Sequence, residues 1–450
     1  PVSRPTATPI ATPAATPKAT PASSPVNRPA ASPLANPTAT PVVDQQGPTP
    51  EAVNQVLGIK LFGNVSLWNS PDVATAKKLK LKQESSTDVQ SAFQYFNKNE
   101  DATICGARYF SIYMRGEQGK VSQITVMFAN KGNTRDFATE LETHLRQTKQ
   151  IRGSTMQMKT AMSEEIRHDE DQIRATLTGL FGSGHGTSVG QAAGMREQGT
   201  VWNWRDVSFF LEARRGEFVE LKILPSSYFA EGHSDRATFE KTKALIPNRI
   251  LRRPNGDVIV TEVPMIDIGT DVSSTAPASI ERLLRYYGIQ GDMRTLTLAA
   301  NSNSLKNLFL AIDPLLNSSG TRIIYVSGGR ISDFRSYIDR GQPVITNLGN
   351  ASLIKRRLKE RMAKRTAVTD WAAWKNNGLT EARNNVRELS AIPQGQIRMQ
   401  GYTCLVTGYN ERTGEIAISN PWGPAYNGGW LTQEEIQAVV QKGGGGAITW

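Results

Sequence analysis

The stretch Val263-Pro264-Met265-Ile266-Asp267-Ile268-Gly269-Thr270-Asp271-Val272-Ser273-Ser274-Thr275-Ala276-Pro277-Ala278-Ser279-Ile280-Glu281-Arg282-Leu283-Leu284-Arg285-Tyr286-Tyr287-Gly288 decides how the C-terminal half is read. Ser273, Ser274 and Thr275 supply side-chain oxygens that cap a helix N-terminus, and Pro277 suits the first turn, where its missing N–H costs nothing. Ile280, Leu283, Leu284 and Tyr287 then follow at helical spacing, so the sequence predicts a helix opening near Thr275 and closing at Gly288.

Two later blocks fall in a fixed order behind it. Ile338-Asp339-Arg340-Gly341-Gln342-Pro343-Val344-Ile345 reads as a turn feeding a strand. Gly401–Asn410 (GYTCLVTGYN) is a strand and turn, and Gly414–Gly423 (GEIAISNPWG) is a strand ending in Asn-Pro-Trp-Gly. Together the three blocks resemble the papain-like cysteine peptidase superfamily, in particular the branch with the leader-cleaving (double-glycine, bacteriocin-processing) peptidase domains and related bacterial proteins. In that branch Cys-x-Pro-Ala-Ser/Thr opens the first helix, which ends in Tyr-Tyr-Gly, and a Gly-His strand is followed by an Asn/Asp-x-Trp-Gly block. The resemblance implies an α+β domain over residues 258–450, with a helical half and an antiparallel sheet.

Against that pattern the chemistry is missing. A cysteine peptidase needs a thiolate at a helix N-terminus, a histidine to share its proton, a group that orients the histidine, and an oxyanion donor. The cysteine position is Thr275 (Ser274 if the alignment shifts by one), and the histidine position is Tyr402. Ile268 or Gly269 stands where the oxyanion glutamine is expected, while Asn420 matches the orienting residue. All four histidines (His144, His168, His185, His233) precede residue 234. A threonine hydroxyl without a base is a weak nucleophile, and losing one member of such a unit costs about as much as losing all of them. Cys404 lies two residues beyond Tyr402 and shares its strand face, so it either faces the cleft or packs in the core.

The expectation is therefore a catalytically inactive papain-like domain that binds an extended peptide or protein segment in the former active-site groove, through Thr275, Tyr402, Cys404, Asn420 and Trp422. A groove can outlive the catalytic residues, because backbone pairing and side-chain pockets hold the peptide. The alternatives are a structural scaffold with no groove ligand, in which the rest of the chain works at a surface, and a residual threonine or cysteine peptidase. An open pocket beside Thr275, Tyr402 and Asn420 favours the first; a filled cleft favours the second. No metal or organic cofactor is implied.

Upstream, proline recurs every fourth residue from Pro1 to Pro41, in units such as Pro-Thr-Ala-Thr. Such a chain is expected to be extended and coreless over residues 1–50, like the Thr/Pro-rich stalks that space extracellular domains from a surface. With a first residue, Pro1, that is not Met, it sets the expectation of a secreted, periplasmic or cell-surface location. Residues 51–250 read as a separate α+β domain: a hairpin from Ala107–Arg115 and Val121–Ala129, helices over Thr134–Thr148 and Met156–Leu180, and a hairpin from Asp206–Arg214 and Phe218–Leu224. Two hairpins separated by helices predict one antiparallel sheet covered on a face by helices, with a weak internal duplication. Gly182–Gly186 reads as a loop carrying His185, and Arg252–Asp257 as the join between domains.

The net charge of +11 suits an acidic surface polymer. Nothing in the pattern marks a specific nucleic-acid site, and the run Lys355–Arg365 reads as the solvated face of a helix. No stretch reaches the roughly 18 apolar residues of a membrane span. Two cysteines, Cys105 and Cys404, make neither a disulfide framework nor a four-ligand metal site, and whether they pair is open.

Overall fold

Two hydrophobic cores, each beneath its own antiparallel sheet, organise the chain. The structure is a computed structural model. It describes residues 47–86, 90–97, 99, 101–130, 155–189, 197–214, 218–230, 235–266, 268, 274–289, 291, 293–300, 304–349, 351–391, 401–422, 428–441 and 444–450. Residues Gly47–Trp450 form one compact unit. The proline repeat and the helix expected over Thr134–Thr148 lie outside the described residues.

The first lobe opens with α1 (Pro50–Leu57) and α2 (Asp72–Lys78), then β1 (Lys82–Ser86) and β2 (Gln90–Phe96). A small hairpin, β3 (Thr103–Ile104) and β4 (Ala107–Arg108), precedes β5 (Ser111–Glu117) and β6 (Lys120–Asn130). The long helix α3 (Thr155–Phe181) follows, then β7 (His185–Val189), β8 (Glu197–Trp204), β9 (Val207–Arg214) and β10 (Phe218–Pro225). Both expected hairpins are present, β5–β6 and β9–β10. The first turns on Gln118 and Gly119, whose φ values of 50° and 76° match the turn that suits the twist of paired strands.

The sheet order is β1-β2-β5-β6-β10-β9-β8-β7. Two four-stranded meanders meet along their last strands, and β6 pairs with β10 antiparallel, with Leu221 opposite Val126. This is the two-fold strand order that an internal duplication produces. One sheet face is apolar: Ile124, Val126, Phe209, Leu211, Val219 and Leu221 are buried in one core with Ile166, Ile173 and Leu177 of α3, which recur at helical spacing. The expected Gly182–Gly186 loop is shorter than the sequence suggests. Gly182 ends α3, and His185 already begins β7, an edge strand on which it is exposed.

The second lobe begins earlier than residue 258. After α4 (Ser227–Ala230), helix α5 (Asp235–Leu245) places Phe239 in the second core, beside Tyr287 and Trp450. Arg252–Asp257 is a hairpin turn inside this lobe rather than a join. It links β11 (Ile250–Arg252) to β12 (Asp257–Val260), and the Asn255 side chain accepts from the Asp257 amide. Then come α6 (Thr275–Tyr286), α7 (Met293–Ala300), α8 (Leu305–Ser318), β13 (Arg322–Tyr325), α9 (Ile331–Ile338) and β14 (Val344–Leu348). A helical excursion, α10 (Ala351–Thr366), α11 (Trp371–Ala373) and α12 (Thr380–Ser390), precedes β15 (Tyr402–Asn410), β16 (Glu415–Ser419), β17 (Gly429–Thr432), α13 (Gln433–Val439) and β18 (Gly446–Thr449).

The spine of this lobe is β15. Along one edge it pairs with β14 through Tyr402–Val406 and with β12 through Gly408–Asn410, and along the other with β16. Gly408 sits where those strands converge. A Cβ there would lie 2.5 Å from the Val258 carbonyl oxygen, so only glycine lets β12 close on β15.

The basic run is not a solvated face throughout. On α10, Arg361 and Arg365 are buried, four residues apart. Arg361 makes a two-pronged pair with Glu435 at 2.5 and 2.9 Å, and Arg365 does the same with Asp257 at 3.1 and 2.7 Å while donating to Glu415 at 3.2 Å. The Arg365 guanidinium also lies over the Trp430 ring, 3.7 Å from its centroid. Bidentate arginine fits these carboxylates in a way lysine cannot. Both cysteines are free and sit in different cores. Among the described residues no helix is long and apolar enough to cross a membrane.

Candidate functional site

Helix α6 starts at Thr275, where the capping pattern placed it, and all twelve of its residues are buried. Its apolar residues Ile280, Leu283 and Leu284 enter the core. A polar stripe at Thr275, Ser279 and Arg282 runs along the helix at spacings of four and three, which keeps the three on one face.

The Thr275 hydroxyl accepts a hydrogen bond from the Thr403 amide of β15 at 3.1 Å, and the Ser279 hydroxyl donates to the Thr403 carbonyl at 3.1 Å. These two contacts fasten the start of α6 to the start of β15, at Thr403. Arg282, fully buried, donates to the Pro264 carbonyl at 2.7 Å, to the Ser419 carbonyl at 3.1 Å and to the Ser419 hydroxyl. Burial pulls its guanidinium down to about 10, against the opposing effect of Cys404 and Glu84. Ser279 is the last residue of the motif that resembles Cys-x-Pro-Ala-Ser/Thr, whereas nothing singled out Arg282 in the sequence, although a polar stripe on a helix otherwise suited to a core was the available signal.

The structure thus brings Thr275 against β15 and places Tyr402 at the start of that strand, with Asn420 and Trp422 just beyond β16. Tyr402 packs against Trp422, ring centroids 4.5 Å apart at 37°. Across the same region the Ile268 amide donates to the Pro421 carbonyl at 3.0 Å, so backbone is bonded to backbone at the position expected for an oxyanion glutamine. Gly269, Ser273 and Gly423 lie outside the described residues.

The five residues expected to line a groove are buried in the structure. Thr275, Tyr402, Cys404, Asn420 and Trp422 are each at most 5% exposed. The Tyr402 ring, in the position where the resemblance expects an imidazole, is buried against Trp422. A depression of about 630 Å³ opens elsewhere, between α9 and the turn after β15, and none of the five residues lines it.

Nor do the buried groups offer a nucleophile. Cys404 lies in the apolar core, and burial raises its thiol well above the ordinary range even though the Arg282 charge works the other way. Burial likewise holds the Tyr402 phenol well above its usual value, so it stays neutral, and Cys404 and Glu435 add to the shift. Cys105, pushed up to about 12 by burial, sits in the other lobe. His185 is exposed on β7, not in this lobe. Among the described residues no His/Cys/Asp/Glu group is arranged to hold a metal ion. No family model, curated protein or solved structure matches the chain.

Proposed function

We propose that the second lobe is a papain-like domain emptied of peptidase chemistry and used as a scaffold, with no ligand in the former groove. The observation that carries this reading is the packing at the degenerate site. Thr275 is tied to β15, and Tyr402 and Trp422 are buried against each other, which supports a site without room for a peptide. The order of elements supports the papain-like assignment: a helix opened by Thr275, a strand opened by Tyr402, and Asn420 after the next strand. Fold alone does not set function, so the assignment rests on the site. In this reading the protein works outside the cytoplasm, with the proline repeat as a spacer and the basic chain, of net charge +11, meeting an acidic surface.

The test is a diverse peptide library incubated with the wild-type protein and with Thr275→Ala and Cys404→Ala variants, read by mass spectrometry for cleavage and for retained peptides. The scaffold reading expects neither from any of the three proteins. Cleavage lost in one variant would name a nucleophile and overturn it. Peptides retained by the wild type would restore the groove-binding reading.

A further inference from the structure

Helix α6 carries three charged residues, yet every residue in it is buried. Two of its sides are accounted for within the second lobe. Ile280, Leu283 and Leu284 enter the core, while Thr275, Ser279 and Arg282 bond to Thr403, Pro264 and Ser419. Glu281 and Arg285 belong to neither set. They stand four residues apart, pair at 3.2 Å, and are 6% and 8% exposed. Burying such charges is costly unless further partners meet them.

The first lobe supplies partners. Along β5, Ile112 and Met114 turn into the first core, so Tyr113 and Arg115 project from the opposite face of the sheet. From there Arg115 reaches Glu281 at 3.4 Å, and the Arg285 guanidinium lies over the Tyr113 ring, 5.1 Å from its centroid. Glu84 of β1 acts on Arg282 from the same lobe. The second Glu281 oxygen accepts the Met293 amide at 2.8 Å, at the start of α7. One carboxylate therefore joins the first lobe, α6 and α7. Apolar residues at 281 and 285 would bury between the lobes without such partners, whereas these charges are met by Arg115 and Tyr113 only while the lobes are docked in this way.

We propose that Tyr113, Arg115, Glu281 and Arg285 form a latch between the lobes, through which the first lobe holds α6 and the second lobe depends on the first for its native form. The dependence runs in one direction. The first lobe keeps its own sheet and core when the latch opens, but the second loses a support on the helix that carries Thr275 and that β15 grips from another side. None of the four latch residues belongs to the former groove, so the latch stands whether or not the second lobe is papain-like.

The experiment is native-state hydrogen exchange on the full chain, read by mass spectrometry for peptides from α6, β5 and β9. Four variants are compared with wild type: Arg115→Gln, Arg115→Lys, Glu281→Gln and the double Arg115→Gln/Glu281→Gln. A fifth, Arg174→Gln, removes the Glu170 pair on α3 and serves as the control for losing a first-lobe ion pair. Arg115→Gln should speed exchange in α6 by about three- to tenfold and leave β9 within about twofold, although residue 115 lies in the first lobe. Arg115→Lys should recover part of that loss. The double variant should fall short of the sum of the two single changes, because both remove one shared contact. Arg174→Gln should leave α6 within about twofold of wild type. Faster exchange in β5 and β9 with α6 unchanged would overturn the latch in favour of a local role for Arg115. Additive single changes would overturn it as well, since Arg115 and Glu281 would then act independently. Peptide cleavage or retention bears on none of these readings, so the two proposals fail separately.

Discussion

Replacing Glu212 by glutamine is expected to flatten the dependence of folding stability on pH. Glu212 on β9 stands directly opposite Glu220 on β10, both almost fully buried, and Glu197 of β8 joins them through Lys222. Lys222 reaches Glu197 at 2.6 Å and Glu220 at 2.9 Å, while Arg214 reaches Glu212 at 3.0 Å. Among the described residues three carboxylates face two cations, and Glu212 Oε2 has no hydrogen-bond partner there. Burial, opposed by Lys222 and reinforced by Glu197 and Glu220, raises Glu212 from 4.5 to about 8. The folded protein therefore holds a proton that the unfolded chain releases. The stability this contributes is complete below the unfolded value of 4.5 and is lost as pH rises through about 8. The slope is about 1.4 kcal/mol per pH unit, so the whole span from 4.5 to about 8 amounts to an upper figure on the order of 5 kcal/mol. Asp169 in α3, raised to about 8 by burial and by Glu165 against Arg108, adds a parallel loss. Urea midpoints between pH 5 and 9 measure it: the Glu212→Gln variant should lose about half of the wild-type slope. An unchanged slope, or wild-type stability that climbs between pH 6 and 8, would refute the charge count.

Removing either partner of Arg361 and Glu435 strands a buried charge. Arg361→Met should cost about 3–5 kcal/mol in chemical denaturation, whereas Arg361→Met/Glu435→Leu should recover most of it. Tyr402→Phe deletes a buried hydroxyl that has no hydrogen-bond partner among the described residues, so it should be neutral or stabilising by up to about 1 kcal/mol; a clear loss would reveal a partner. Gly408→Ala should destabilise the protein by about 1–3 kcal/mol, because its methyl group meets the Val258 carbonyl, and hydrogen exchange at β12 should rise with it.

What could be read in advance was local. The apolar spacing after Pro277 and the alternation in Val207–Arg214 each act within a few residues, and each element appears where its pattern lies, but Ser274 takes the N-cap position of α6 without a side-chain capping bond and the Thr275 hydroxyl accepts from Thr403 instead. β1 (KQESS) carries no apolar residue, so no periodicity marks it as a strand, and it becomes one only because β2 supplies the hydrogen bonds. Arg252–Asp257 has turn chemistry whether it joins two domains or closes a hairpin. Only the pairing of Leu251 with Ile259 decides between them. Arg361 and Arg365 looked solvated because the carboxylates that bury them, Glu435, Asp257 and Glu415, are 50 to 108 residues away. The burial of Tyr402 had the same origin. The replacement of histidine by tyrosine was visible, but its stacking on Trp422 belongs to tertiary packing.

The central place of β15 has a consequence for how the chain matures. Its hydrogen bonds reach back 128 residues to Thr275, and Tyr287 reaches forward 161 residues to the Ile448 carbonyl. Contacts of such separation slow folding, since the loops they close must be ordered before the contacts repay it. During synthesis, α6, β12 and β14 emerge long before the strand they need, with apolar faces that lack their partner. The first lobe completes its sheet by Pro225 and can fold while the ribosome is still making the second. Chains cut short before Tyr402 should therefore retain an ordered N-terminal lobe and a sticky, unclosed remainder, the form on which chaperones and proteases act.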